Sequence, residues 1–158
     1  MKDGVFNIGG NDILQRKIMA ASISSALFSI LFALMANNPF SSEFFTELLP
    51  DIYVVLTYTF PIVFIYGVLT SFLSDAVAKL ATRRIGNRKD ELLISGVLHT
   101  FFGFPFFYLG MFAALLFFVA DKLLERRQPR YHWLQGAKWL LIPIGLWLLS
   151  SGVAWLNE

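Results

Sequence analysis

The sequence contains no cysteine and only two histidines among its 158 residues. Without cysteine, the chain can form no disulfide, no thiolate metal site and no cysteine nucleophile. It also contains no glycine-rich phosphate loop, no His-x-x-x-His pair and no Gly-x-Ser-x-Gly elbow. We therefore predict a protein that is not an enzyme, that binds no cofactor or metal, and that does not act on nucleic acid.

Charged residues are scarce, and four long segments lack them entirely. The chain has 13 Lys and Arg and 11 Asp and Glu, and none of them lies in segments 18–36, 52–74, 92–120 and 139–157. Hydrophobic residues make up 56% of the chain, and the mean hydropathy is +0.61. A helix needs about 20 apolar residues to cross a hydrocarbon core about 30 Å thick. The composition therefore predicts an all-α integral membrane protein.

This membrane protein is expected to be a single helical domain over residues 1–158. The stretch 1–17 is predicted to form a polar N-terminal arm ahead of the first apolar segment. The bilayer itself is the partner that the composition predicts first, and another membrane protein or a second copy of the chain could also bind.

The third segment, 92–120, is longer than one crossing requires and contains Gly103-Phe104-Pro105 near its middle. A kinked helix could cross the membrane once, which would give four crossings. A helix broken at Gly103–Pro105 could instead return to its starting side, which would give three crossings and a re-entrant hairpin. Each arm of about 13 residues would then reach only about 20 Å, too short to cross alone.

The positions of Lys and Arg favour the hairpin. Basic residues remain on the cytoplasmic side when connections are short. The stretch before the first segment and the connection after the second carry several, whereas the first connection carries Glu43, Glu47 and Asp51 and no basic residue. This predicts a cytoplasmic N-terminus. A hairpin would bring all 13 basic residues to that side, whereas one simple crossing would leave five outside.

Two sets of small residues predict close helix packing. Gly96, Gly103 and Gly110 recur every seven residues, which would place them on one face if the third segment were a continuous helix. A second set repeats every four residues along the first segment and consists of Ala21, Ser25, Ser29 and Ala33. Small residues let helices approach closely in lipid. We expect the second stripe to pack against helices of the same chain, with a dimer interface as the alternative.

One ionisable residue, His99, lies inside an apolar segment, and Asp75 and Asp121 directly follow two of the segments. If the third segment is a hairpin, these three residues lie at similar depth, and they form the candidate functional cluster. Ionisable residues within membrane segments are functional candidates by default. The simpler alternative is a neutral His99 that bonds a carbonyl, a hydroxyl or one of the two carboxylates. A proton relay would need a second buried titratable group, and we expect none.

Two stretches, PIVFIYGVLTSFLSD at residues 61–75 and FFVADKLLERR at residues 117–127, resemble segments of small multi-span membrane proteins of Bacillus and related Gram-positive bacteria. The resemblance covers about a sixth of the chain. It implies a multi-pass protein of a bacterial cell membrane. Since that family has no established activity, the resemblance assigns no functional residue.

Three functions remain open. The first is a non-enzymatic accessory, regulatory or immunity-type membrane protein that acts through helix–helix contacts, and it is the one we expect. The second is a small oligomeric transporter or channel, which a broken helix would suit. The third, an intramembrane enzyme, is disfavoured because His99 has no evident nucleophile or metal beside it.

Overall fold

In a computed structural model, every regular element in the described part of the chain is helical. The structure describes residues 10–83, 88–127 and 133–156. The α-helices are α1 (Gly10–Ala36), α2 (Phe44–Ile62), α3 (Val68–Thr82), α4 (Arg88–Phe102), α5 (Phe107–Arg127) and α6 (Trp133–Leu156). A π-helical turn, Val63–Gly67, joins α2 to α3, and a 3₁₀ turn, Phe104–Phe106, separates α4 from α5.

Four stretches in the described ranges are long and apolar enough to cross a membrane: Asp12–Ala36, Phe44–Thr82, Lys89–Arg127 and Leu134–Leu156. The protein is thus a multi-pass, all-α membrane protein, as the sequence predicted. The helices extend beyond the charge-free segments. In particular, α1 begins within the predicted polar arm, so Arg16 and Lys17 are helical residues.

The long helix formed by α2, the π turn and α3 runs antiparallel to α1. At one end, Asn37 Nδ2 donates a hydrogen bond of 2.8 Å to Asp51 Oδ2. At the other end, Lys17 Nζ lies 2.7 Å from Asp75 Oδ2. These pairs define the Asn37 end and the Lys17 end of the bundle.

Helix α6 runs parallel to α1. Gly136, near its start, packs against Gln15 at the Lys17 end. Eleven residues later in α6, Trp147 Nε1 donates a hydrogen bond of 2.8 Å to Thr57 on α2. The last turn of α6 therefore lies at the Asn37 end.

The third stretch breaks where the sequence predicted, and the chain reverses there. Helix α4 ends at Phe102, and α5 begins at Phe107, whose φ of 55° is the only positive value at a non-glycine residue in the described ranges. The backbones of Gly103 and Gly110 touch, since a side chain on either would collide with the carbonyl group of the other. Because α4 and α5 lie side by side, the stretch is a helical hairpin and not one kinked crossing.

The glycine repeat therefore has a different role from the one that a continuous helix would give it. Gly103 and Gly110 face each other across the turn, and Gly96 on α4 faces the ring of Phe118 on α5. The three glycines allow the two arms of the hairpin to approach, and they do not form one face of a single helix. The tip of the hairpin reaches Tyr66, whose hydroxyl donates a 2.8 Å hydrogen bond to the carbonyl of Phe102.

Candidate functional site

A buried lysine lies at the centre of the Lys17 end. The side chain of Lys17 is completely excluded from solvent. Its Nζ donates hydrogen bonds to Ser71 Oγ at 2.5 Å, to Asp75 Oδ2 at 2.7 Å and to Asp121 Oδ2 at 3.4 Å. Burying a charged amine is costly unless carboxylates and further hydrogen bonds compensate it. Here two carboxylates and a hydroxyl do so, and they join α1 to α3 and α5.

Further ion pairs extend this arrangement into a cluster. Arg16 Nε lies 2.8 Å from Asp121 Oδ1, and Lys122 Nζ lies 3.2 Å from Asp75 Oδ1 and 2.9 Å from Glu125 Oε2. Ser95 on α4 donates a 2.8 Å hydrogen bond to Asp75. The ionic cluster thus consists of three cations and three carboxylates: Arg16, Lys17, Lys122, Asp75, Asp121 and Glu125.

The helical repeat explains why Lys17 is buried. Lys17 lies four residues, about one helical turn, before Ala21. It is therefore on the same face of α1 as the small-residue stripe of Ala21, Ser25, Ser29 and Ala33. All four stripe residues are fully buried within the chain. The stripe consequently packs against helices of the same chain, and it is not available as a dimer interface. Lys17 shares that inward face and meets the carboxylates of α3 and α5.

Sequence reasoning chose Asp75 and Asp121 but overlooked Lys17, Arg16 and Lys122. The expectation of no second buried titratable group was wrong, since Lys17 and Asp121 are both buried. The two carboxylates lie together, as the hairpin hypothesis required, but they bind Lys17 and not His99. The spacing of Lys17 before Ala21 was the signal that could have identified the lysine.

His99 is also buried, with 1% of its surface exposed, and its ring packs against Phe117 with 5.1 Å between centroids. The carbonyl of Thr70 lies near the ring. Even so, neither ring nitrogen makes a hydrogen bond with any group in the described ranges. The expected bond from His99 to a carbonyl, a hydroxyl or a carboxylate is therefore not formed. A buried polar group without a partner is costly, so the imidazole lies in this position at the expense of stability.

His99 lines a cavity of about 540 Å³ that extends from Thr70 and His99 toward the Asn37 end. The hairpin is shorter than the neighbouring helices, so a space remains between its tip, α1 and the long helix. The walls are mostly aromatic and aliphatic, and they include Phe28, Phe32, Tyr66, Phe106 and Phe117. The volume falls within the range of about 300–1,000 Å³ that is typical of small-molecule sites.

The π turn Val63–Gly67 forms part of the cavity wall. It begins two residues after Pro61, which cannot donate a backbone hydrogen bond and so loosens the helix at that point. Phe117 packs on Gly67, with a ring atom 3.5 Å from the position that a Cβ would occupy there. Single π turns within α-helices occur frequently at functional sites.

In the described ranges, no three His, Asp or Glu side chains are arranged to hold a metal ion. No known family model, curated protein or solved structure matches the chain.

Proposed function

We propose that this chain is a non-enzymatic accessory or regulatory membrane protein that acts by binding, and that its ligand is an uncharged amphiphile held in the cavity beside His99. The unpartnered imidazole of His99 in the wall of an apolar cavity carries the proposal. A hydroxyl or carbonyl group of a ligand would supply the missing hydrogen bond. The aromatic and aliphatic walls would hold its apolar body.

The ionic cluster explains why the ligand should be uncharged. Its three cations and three carboxylates balance formally, and Lys17, Asp75 and Asp121 act electrostatically on His99, although none of these three residues lines the cavity. Because these charges are already paired with one another, a charged head group beside His99 would find no net opposite charge to compensate it. A neutral polar group avoids the cost of bringing a further charge out of water.

The same features favour binding over transport and catalysis. In the described part of the chain, the buried charges lie at the Lys17 end and are paired, and the cavity above them is apolar. The buried serines of α1 donate to backbone carbonyls of their own helix. No charged path for an ion therefore extends from the cluster toward the Asn37 end in those ranges.

Nuclear magnetic resonance of the two histidine rings tests the proposal. Protein labelled with ¹⁵N-histidine is titrated with dodecan-1-ol, and the other histidine is assigned with the His132→Gln variant. We expect dodecan-1-ol to shift the His99 ring nitrogens saturably, and dodecanoate and dodecyltrimethylammonium to have weaker effects. Ala114→Phe, which fills the cavity, should abolish the shift, whereas Ala76→Phe on the exposed side of α3 should preserve it.

Several results would contradict the proposal. The absence of a saturable shift in the wild-type protein would show that the alcohol does not reach His99. An unchanged shift in Ala114→Phe would place the binding elsewhere. A stronger response to dodecanoate than to dodecan-1-ol would overturn the preference for an uncharged head group.

Association with a helix of another membrane protein or of a second copy is the second candidate function, and the outer face of α6 favours it. A Cβ added at Gly145 or Gly152 would have no atom within 4 Å, and Leu141 and Leu148 beside them are 65% and 58% exposed. Small residues on a lipid-facing helix permit close helix association. If a second copy binds there, Leu148→Cys should form disulfide-linked dimers on oxidation, whereas Leu93→Cys on α4 should not.

We further propose that the protein resides in a bacterial cell membrane with its N-terminus in the cytoplasm. The resemblance to Bacillus membrane proteins supports the compartment. The hairpin supports the orientation because it brings Arg126 and Arg127 to the same end as Arg16 and Lys17, which is the clustering that the rule for basic residues requires.

A further inference from the structure

A second apolar depression lies on the outer side of the hairpin and is separate from the His99 cavity. This α4–α5 groove has a volume of about 790 Å³ and is lined by Gly96, Val97 and Phe101 of α4 and by Met111, Leu115 and Phe118 of α5. Val97 and Phe101 are 64% and 66% exposed, so the groove is open along its length.

Residue size accounts for the groove. Gly96 has no side chain, so the ring of Phe118 lies against the backbone of α4, 3.0 Å from the position that a Cβ of residue 96 would occupy. The next turn of α4 presents Thr100, whose hydroxyl donates to the carbonyl of Gly96 and so shows only a small apolar surface. The small residues therefore form the floor of the α4–α5 groove, and larger side chains form its edges.

The Lys17 end of the groove is basic. Lys89, Lys122 and Arg126 line it there, and the acidic neighbours Asp90 and Glu91 do not. The charge of Lys122 is compensated by Asp75 and Glu125, and its Nζ lies 5.8 Å from the centre of the Phe118 ring. Arg126 and Lys89 are exposed basic residues that line the groove at this end.

We infer that the α4–α5 groove binds a phospholipid with an anionic headgroup, with the phosphate at Lys89 and Arg126 and one acyl chain between the helices. Basic pockets between membrane helices recognise such headgroups. From Lys89 to Phe101 the groove follows α4 for about 18 Å, comparable with the hydrocarbon depth of one leaflet, about 15 Å. The apolar groove matches the acyl chain of this lipid, and the basic residues at the Lys17 end match its phosphate.

This inference does not depend on the ligand of the His99 cavity, because the two sites lie on different sides of α5. A helix of a partner protein would be the other kind of occupant. Such a helix would need no negative charge at the Lys17 end of the groove, so the headgroup dependence of binding distinguishes the two.

Titration with lipids and native mass spectrometry test the inference. The purified full chain is titrated with dioleoylphosphatidylglycerol and with dioleoylphosphatidylcholine, which differ in headgroup charge. We expect the anionic lipid to bind more tightly. Lys89→Gln combined with Arg126→Gln should weaken its binding by about fivefold per charge removed, from about 1 kcal/mol for each basic residue near a membrane surface.

Matched variants separate a specific site from general attraction. Lys79→Gln with Arg127→Gln removes the same charge from exposed positions outside the groove and should leave binding unchanged. Val97→Trp should fill the groove and weaken binding, whereas Val119→Trp, also exposed but outside the groove, should not. Thermal unfolding in detergent verifies that each variant is folded.

Three results would overturn the inference. One is equal affinity of the wild-type protein for the two lipids. Another is an equal loss of affinity in the two double variants, which would indicate a general surface charge effect. The third is unchanged binding in a folded Val97→Trp variant, which would leave the headgroup bound with no acyl chain in the groove.

Discussion

Lys17 Nζ lies 2.7 Å from the carboxylate of Asp75, although the two residues are 58 positions apart and the lysine side chain is completely buried. Asp121 lies on the other side of the same ammonium group, 3.4 Å away. The pairing joins the first helix to the long helix and to the returning arm of the hairpin. The fold at this end therefore depends on compensated charge inside an apolar bundle.

Replacement of the buried lysine should be strongly destabilising. Lys17→Met would leave the buried Asp121 and the partly buried Asp75 with one partner fewer, and breaking a buried ion pair typically costs about 3–5 kcal/mol. We expect the midpoint of denaturant unfolding in detergent to fall accordingly. Lys138→Met, at an exposed position of α6, is the control and should leave the midpoint unchanged. Equal midpoints for the two variants would show that the ionic cluster contributes nothing to stability.

The contact between Gly103 and Gly110 provides a second prediction. Gly103→Ala would force a methyl group against the carbonyl group of Gly110, and overpacking of this kind costs about 1–3 kcal/mol. Gly152→Ala, in open space on α6, should be neutral or slightly stabilising because alanine favours helix. Unfolding midpoints of the two variants test this. A Gly103→Ala variant as stable as Gly152→Ala would mean that the arms do not meet at this turn.

The long apolar segments could be predicted from the sequence because a run of about 20 residues without charge is long enough to span a bilayer and rare in soluble domains. The break at Gly103–Pro105 could also be located. Whether the chain reverses at this break was uncertain, since a repeat of Gly96, Gly103 and Gly110 fits the facing arms of a hairpin as well as one face of a single helix.

The ionic cluster was harder to predict because it depends on the hairpin. Lys17 precedes the first apolar segment, where lysine commonly marks only the cytoplasmic side. Its burial follows only when α5 returns and brings Asp121 toward Asp75. The cavity was likewise unpredictable, because it results from the difference in length between the hairpin and the helices around it.

Accessibility of single cysteines tests the sidedness of the chain. Since the protein has no cysteine, one residue can be labelled at a time. In intact cells, an impermeant thiol reagent should label Ser42→Cys and Leu156→Cys, which lie toward the Asn37 end, but not Arg127→Cys. Labelling of Arg127→Cys alone would reverse the proposed orientation. Labelling of Ser42→Cys and Arg127→Cys without Leu156→Cys would contradict the parallel arrangement of α1 and α6.

The reversal of the chain between α4 and α5 is the central claim, because the ionic cluster, the cavity and the α4–α5 groove all depend on it. A single distance tests it most directly. Spin labels are attached to Leu93→Cys and Leu123→Cys, two exposed positions on the two arms, and double electron–electron resonance measures their separation in lipid nanodiscs. A hairpin predicts about 20 Å or less, given helix axes about 8–10 Å apart. A distance near about 45 Å, the length of about 30 residues of continuous helix, would contradict the account.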